Sequence, residues 1–204
     1  MLKKTKQRKP GDIFGTSLSE QTLTDGGVPA FVHAMCTHIL SDGVVQHNGL
    51  FAEQATDAEL EDARQLLEEL GVDDADLSDL SPAACTGILT EYFKELPEPL
   101  TGTLYEPLLE SLRHPTEALQ VSEAKALVRQ LPEPGRSTLV YMLRFLSGVA
   151  HYDAFNQTST RALAQHFAQP LMWSQAPGYR QLKEASDKVK LFKLMIEAHA
   201  DIAE

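Results

Sequence analysis

Three side chains near residue 35, His33, Cys36 and His38, are of types that a metal ion takes as ligands. A helix carries His33 and Cys36 on one side and turns His38 away, so the three do not converge and no metal site is expected. Cys36 and Cys85 are the only cysteines, too few for a disulfide framework or a zinc cluster, and they point to a reducing, cytoplasmic setting. Asn156-Gln157-Thr158 fits a glycosylation sequon, but a chain in that setting never meets the transferase, so the match reads as chance. The sequence holds no phosphate-cradling glycine loop, no His-Glu-x-x-His and no nucleophile elbow. Its own residues therefore announce neither a cofactor nor a catalytic set.

Charge narrows the reading further. The chain has 204 residues, enough for a real core, with 18 Lys+Arg against 29 Asp+Glu and a net charge of −11. That balance disfavours generic binding to nucleic-acid backbones. No apolar run approaches the roughly 18–20 residues of a membrane span. Lys3, Lys4, Lys6, Arg8 and Lys9 lead into Pro10-Gly11 and not into a signal-peptide core. Residues 1–11 read as a basic disordered leader, a linker and not a lipid anchor because no apolar residues back the charges. Residues 12–204 read as one domain. Between Glu53 and Asp79 eleven acids face Arg64 alone, which reads as a solvated helix face plus a loop.

The elements that would position any site are helical. Val28–Leu40 places Val28, Phe31, Val32, Met35 and Ile39 on one face, and Leu60, Ala63, Leu66, Leu67 and Leu70 repeat likewise up to Gly71. Ser81-Pro82 marks a capped start to a helix that ends before Pro97. Further helices are expected from Ser122 to Leu131, from about Arg136 to Tyr152, from near Ser159, and over about Ser186–Ala203 with His199 inward. No alternation bounded by hairpin turns appears, so the fold class is all-α.

An ordered set of segments spans this helical frame. It comprises Asp12-Ile-Phe-Gly-Thr-Ser-Leu18, Gly27-Val-Pro29, Asn48-Gly-Leu-Phe51 and Tyr92-Phe-Lys-Glu-Leu-Pro-Glu-Pro-Leu100 with Leu104-Tyr105. Leu131-Pro132 with Arg136, Asn156, Leu163-Ala164 and Pro170-Leu171 complete it. In order and spacing this resembles the RhoGAP (BCR-homology) domain over about residues 12–200, with Lys-Glu-Leu-Pro-Glu-Pro-Leu the most specific piece. The resemblance implies a RhoGAP-like bundle of about eight or nine helices. It also implies a Rho-family small GTPase partner of Rho, Rac or Cdc42 type, whose GTP hydrolysis such domains accelerate.

The same resemblance exposes departures. Family members read Gly-(Ile/Leu)-(Phe/Tyr)-Arg, followed three residues later by glycine, and that arginine neutralises charge on the transferring phosphoryl group. Here the run is Gly49-Leu50-Phe51-Ala52-Glu53-Gln54-Ala55, so Ala52 holds the finger position and Ala55 the glycine position. An arginine finger is worth roughly 10³–10⁵ in rate, about 4–7 kcal/mol of barrier. Thr90 stands where the family usually has lysine, Lys94 where it has arginine, and Ala162 replaces the asparagine of its Asn-Leu-Ala segment. Phe-Gly-Pro becomes Phe167-Ala168-Gln169, with the proline displaced to Pro170. The GTPase-binding candidates carried over are Gly49, Phe51, Ala52, Gln54, Thr90, Lys94, Asn156, Ala162 and Pro170, and no residue is catalytic.

The expected function is a RhoGAP-fold regulator that is not itself an enzyme and lacks efficient activating activity. It would act by GTPase binding or scaffolding. Two alternatives stay open: an active activator working without an arginine, with Gln54 as a neutral donor, and an interaction domain whose partner is not a GTPase.

Overall fold

The structure is a computed structural model that describes residues 13–173 and 184–204; the basic leader, Asp12 and residues 174–183 lie outside the described residues. Eleven α-helices occur among the described residues: α1 Ala30–Ile39, α2 Asp42–Val45, α3 Asp57–Leu70, α4 Pro82–Glu95, α5 Tyr105–Ser111, α6 Glu117–Val128, α7 Gly135–Ala150, α8 Asp153–Asn156, α9 Thr160–Leu171, α10 Ala185–Glu197 and α11 His199–Ala203. Described residues include no strand, only a single bridge from Leu23 to Pro29. None of these helices is long and apolar enough to cross a membrane.

One apolar core ties the helices together. α4, α7 and α9 surround its centre with fully buried Ile88, Leu89, Phe93, Leu143, Leu146, Leu163 and Phe167, and α10 closes it with Leu191, Phe192 and Met195. Each such side chain contributes roughly 1.5–3 kcal/mol by leaving water. Aromatic edges fix the end near α1, where Phe14, Phe31 and Tyr92 meet at centroid separations of 4.8–6.3 Å.

The helix starts follow local chemistry. Thr56 caps α3 in a reciprocal box, accepting from the Glu59 N–H at 3.2 Å while Glu59 accepts from the Thr56 N–H at 2.8 Å. The Thr56 backbone bond first, then the Thr56 and Ser81 hydroxyls, hold the Glu59 carboxyl below its ordinary range. Ser81 caps α4, with Pro82 in the first turn. Arg64, lone cation of the acidic stretch, reaches from α3 to Glu95 and Glu91 on α4 and lies 4.1 Å from the Phe14 ring centre. Within that stretch, Glu59 and Asp76 serve as caps, and Glu61, Asp62, Glu68, Glu69, Asp73 and Asp74 face solvent.

Several expected boundaries move. The helix expected from Ser122 begins at Glu117, because Thr116 caps it and Ser122 lies inside. Tyr105–Ser111 forms a helix despite Pro107, whose missing N–H falls in the first turn where no intrahelical bond is needed. Val28 is buried but precedes α1, which starts after Pro29. Leu70, expected on the inner face, is 50% exposed at the end of α3. The last expected helix breaks at Ala198 into α10 and α11, and His199 is only partly buried, with Nδ1 3.2 Å from the Ile196 carbonyl.

Candidate functional site

The segment that matches the family's finger loop runs from Val45, at the end of α2, to the Thr56 cap of α3. Two positive φ angles shape it, +84° at Gly49 and +65° at Phe51. Glycine takes this region freely, whereas phenylalanine there is strained by about 1–3 kcal/mol. Ring packing offsets that strain: the Phe51 ring sits 5.2 Å from Phe167, 5.5 Å from His166 and 6.3 Å from Phe145. Past this anchor the chain turns outward, with the Ala52 and Glu53 N–H groups both donating to the Gly49 carbonyl at 2.7 and 2.9 Å. Ala52, Glu53 and Gln54 are exposed.

The loop is fastened from beneath by the turn between α8 and α9. The Asn156 amide donates to the Val45 and Val149 carbonyls at 2.9 and 3.1 Å, and its Oδ1 accepts from the Thr158 N–H at 2.8 Å. The Asn156 carbonyl in turn accepts from the Gly49 N–H at 3.0 Å. Thr158 donates its hydroxyl to the Leu50 carbonyl at 2.5 Å. Asn156 is 0% exposed, and its buried amide holds the finger loop in place. Thr158, the other half of this clasp, was not singled out by sequence beyond the sequon match.

The remaining carried-over positions divide by burial. Lys94 and Ala162 are exposed, whereas Thr90 and Pro170 are buried. Pro170 packs inside the last turn of α9 and presents no surface. Thr90 donates its single proton to the Thr86 carbonyl at 2.7 Å, so the contact at 2.8 Å with His166 Nε2 requires the imidazole to donate. Where the family's lysine would stand, this chain has a closed neutral pair.

Burial, and then the nearby Lys94 cation, hold the His166 imidazole below its ordinary range. A depressed histidine stabilises the fold fully above the unfolded-state value of about 6.5, and that contribution is lost as pH falls toward the folded value. Nitrogen-detected NMR is expected to show His166 as the neutral Nε2–H tautomer at pH 7.5, titrating below about 6.5. An Nδ1–H tautomer would make Nε2 the acceptor of the Thr90 proton and contradict the bond from Thr90 to the Thr86 carbonyl.

Electrostatically the loop tip is poor in cations. The run from Gln46 to Thr56 contains no lysine or arginine, and His47 Nε2 is spent on Glu53 Oε2 at 2.9 Å. His47 and His166 were not flagged by the sequence, since neither falls in a recognisable motif. The geometry thus offers a preformed loop with a methyl group at its tip, able to present a surface but not to neutralise a developing negative charge.

Comparison with known proteins places this geometry. A family model described as the RhoGAP domain matches residues 29–176. Rho GTPase-activating protein 92B of Drosophila melanogaster is 32% identical over 163 residues, covering 78% of this chain and 22% of that protein. Mouse Rho GTPase-activating protein 31 is 30% identical over 182 residues, covering 84% of this chain and 12% of that protein. The chain thus spans between about an eighth and a quarter of the length of these relatives. The fold matches the crystal structure of human Rho GTPase activating protein 15, with a TM-score of 0.82, 23% identity, and coverage of 96% of this chain and 93% of that one. A family match across most of the helical core, on a fold of the same architecture, leads to one assignment: the chain belongs to the RhoGAP domain family.

Proposed function

We propose that this domain works in Rho-family small GTPase signalling as a RhoGAP-fold module without efficient GTPase-activating activity, acting through binding or scaffolding. One observation carries the reading: the exposed residue at the tip of the clasped finger loop is Ala52. A methyl group supplies neither charge nor a hydrogen bond, so the roughly 4–7 kcal/mol that a finger arginine contributes is missing. Glu53 next to it has the wrong sign, and Gln54 is a neutral donor on the same exposed turn.

Docking is a separate matter from catalysis, because a finger acts mainly on the transition state. The loop frame that would meet a partner is intact, although Thr90 and Ala162 withdraw two polar contacts. Pull-downs with Rho, Rac and Cdc42 loaded with a non-hydrolysable GTP analogue test this. Weak retention that favours the GTP-analogue form over the GDP form is expected. Absence of binding to all three would move the domain to a partner that is not a GTPase.

A further inference from the structure

Among the described residues, one buried side chain carries a full charge. Lys188, early in α10, is 1% exposed. Its Nζ donates to Gln169 Oε1 at 2.5 Å, and no carboxylate among the described residues stands within ion-pair distance of it. The ammonium also lies 5.3 Å from the centre of the Tyr105 ring, whose hydroxyl donates to Glu184 Oε2 at 3.5 Å. Burial pulls the Lys188 pKa down, and the Glu184 charge works against that pull. One cation thus joins α5, α9 and α10.

A buried ammonium is costly to keep, and apolar side chains of similar volume often fill such a place with no loss of stability. What the charge adds is direction, because it ties one acceptor to one place. Gln169 follows His166 by three residues and Ala162 by seven, so the three share a stripe of α9. Midway along that stripe, His166 Nε2 donates to Thr90, and the imidazole lies 5.5 Å from the Phe51 ring of the finger loop. At its end the backbone is short of a bond, because Pro170 has no N–H to give the His166 carbonyl. The bond from Lys188 to Gln169 holds that turn from outside the helix.

We propose that Lys188 is a positioning residue for the finger-loop site. By holding Gln169 it fixes the last turn of α9, and with it the seat of His166 against Thr90 and Phe51. The proposal rests on the geometry of the loop and not on which partner the loop meets, so its failure and that of the GTPase reading are separate results.

The test is amide hydrogen exchange and nitrogen-detected NMR on the whole chain, with thermal melts alongside. Lys188→Met fills the volume without the charge and is expected to keep Tm within about 4 °C of the parent. It is nevertheless expected to lose the single Nε2–H signal of His166 and to speed exchange at the Gly49 and Thr158 amides by about tenfold or more. Gln169→Leu removes the acceptor but leaves the charge, and is expected to do the same while lowering Tm further. Gln169→Glu keeps an oxygen for the ammonium and is expected to retain the parent's exchange rates and His166 signal. Lys193→Met, on the same helix but paired with Glu197, is expected to change neither. Parent-like exchange and an unchanged His166 signal in Lys188→Met would overturn the proposal, as would equal losses in Gln169→Glu and Gln169→Leu. If Lys188→Met fails to fold, that last comparison decides alone.

Discussion

Replacing Ala52 by arginine is expected to raise GTP hydrolysis by a bound Rho-family GTPase by roughly 10–10²-fold at saturating domain. The loop needs no rebuilding to accept the new side chain. Its turn is set by Gly49 and Phe51, clasped by Asn156 and Thr158, and its tip already projects into solvent. The expected gain falls short of the full 10³–10⁵ of an arginine finger because Thr90 and Ala162 leave the complex less well held, and positioning scales the benefit. Affinity for the GTP-analogue form should change little, since the guanidinium acts on charge that develops only in the transition state. A variant that binds as the parent does, yet gains no rate at saturation, would show that more than the finger has been lost.

Asn156→Ala is expected to cost about 3 kcal/mol in denaturant unfolding. The substitution leaves the Val45 and Val149 carbonyls and the Thr158 N–H without their buried partner. Each such loss costs about 1–3 kcal/mol, less whatever water can recover. For a domain of this size that amounts to a fall of roughly 6–12 °C in Tm. Asn156→Asp keeps the shape but sets a carboxylate against two carbonyls, which raises its folded pKa above the unfolded value of about 3.9. Its penalty is therefore smallest below about pH 4 and grows as pH rises through the folded value. An Asn156→Ala variant within about 0.5 kcal/mol of the parent would mean that the residue serves a surface and not the loop.

The helical frame was legible because its signals are local. Leucine spacing, the Ser81-Pro82 start and the turn chemistry each act within a few residues, and α3, α4, α7 and α9 stand about where periodicity puts them. The loop's place in the chain was legible too, from Asn48-Gly-Leu-Phe51. What escaped depends on contacts between distant segments. Asn156 read as a partner-facing residue and proves to be a buried clasp, because the carbonyls it satisfies lie 111 and 7 residues away. The Thr90–His166 pair joins residues 76 apart, so no spacing rule could pair them.

The measurement that bears most directly on the account is phosphate release by GTP-loaded Rho, Rac and Cdc42, with this domain present well below the GTPase concentration. The account predicts that the parent chain stimulates release by less than about twofold over the intrinsic rate, since the charge worth roughly 10³–10⁵ is absent. Stimulation of several hundredfold by the parent at catalytic amounts, a rate on the order of that of a domain with its finger in place, would contradict it.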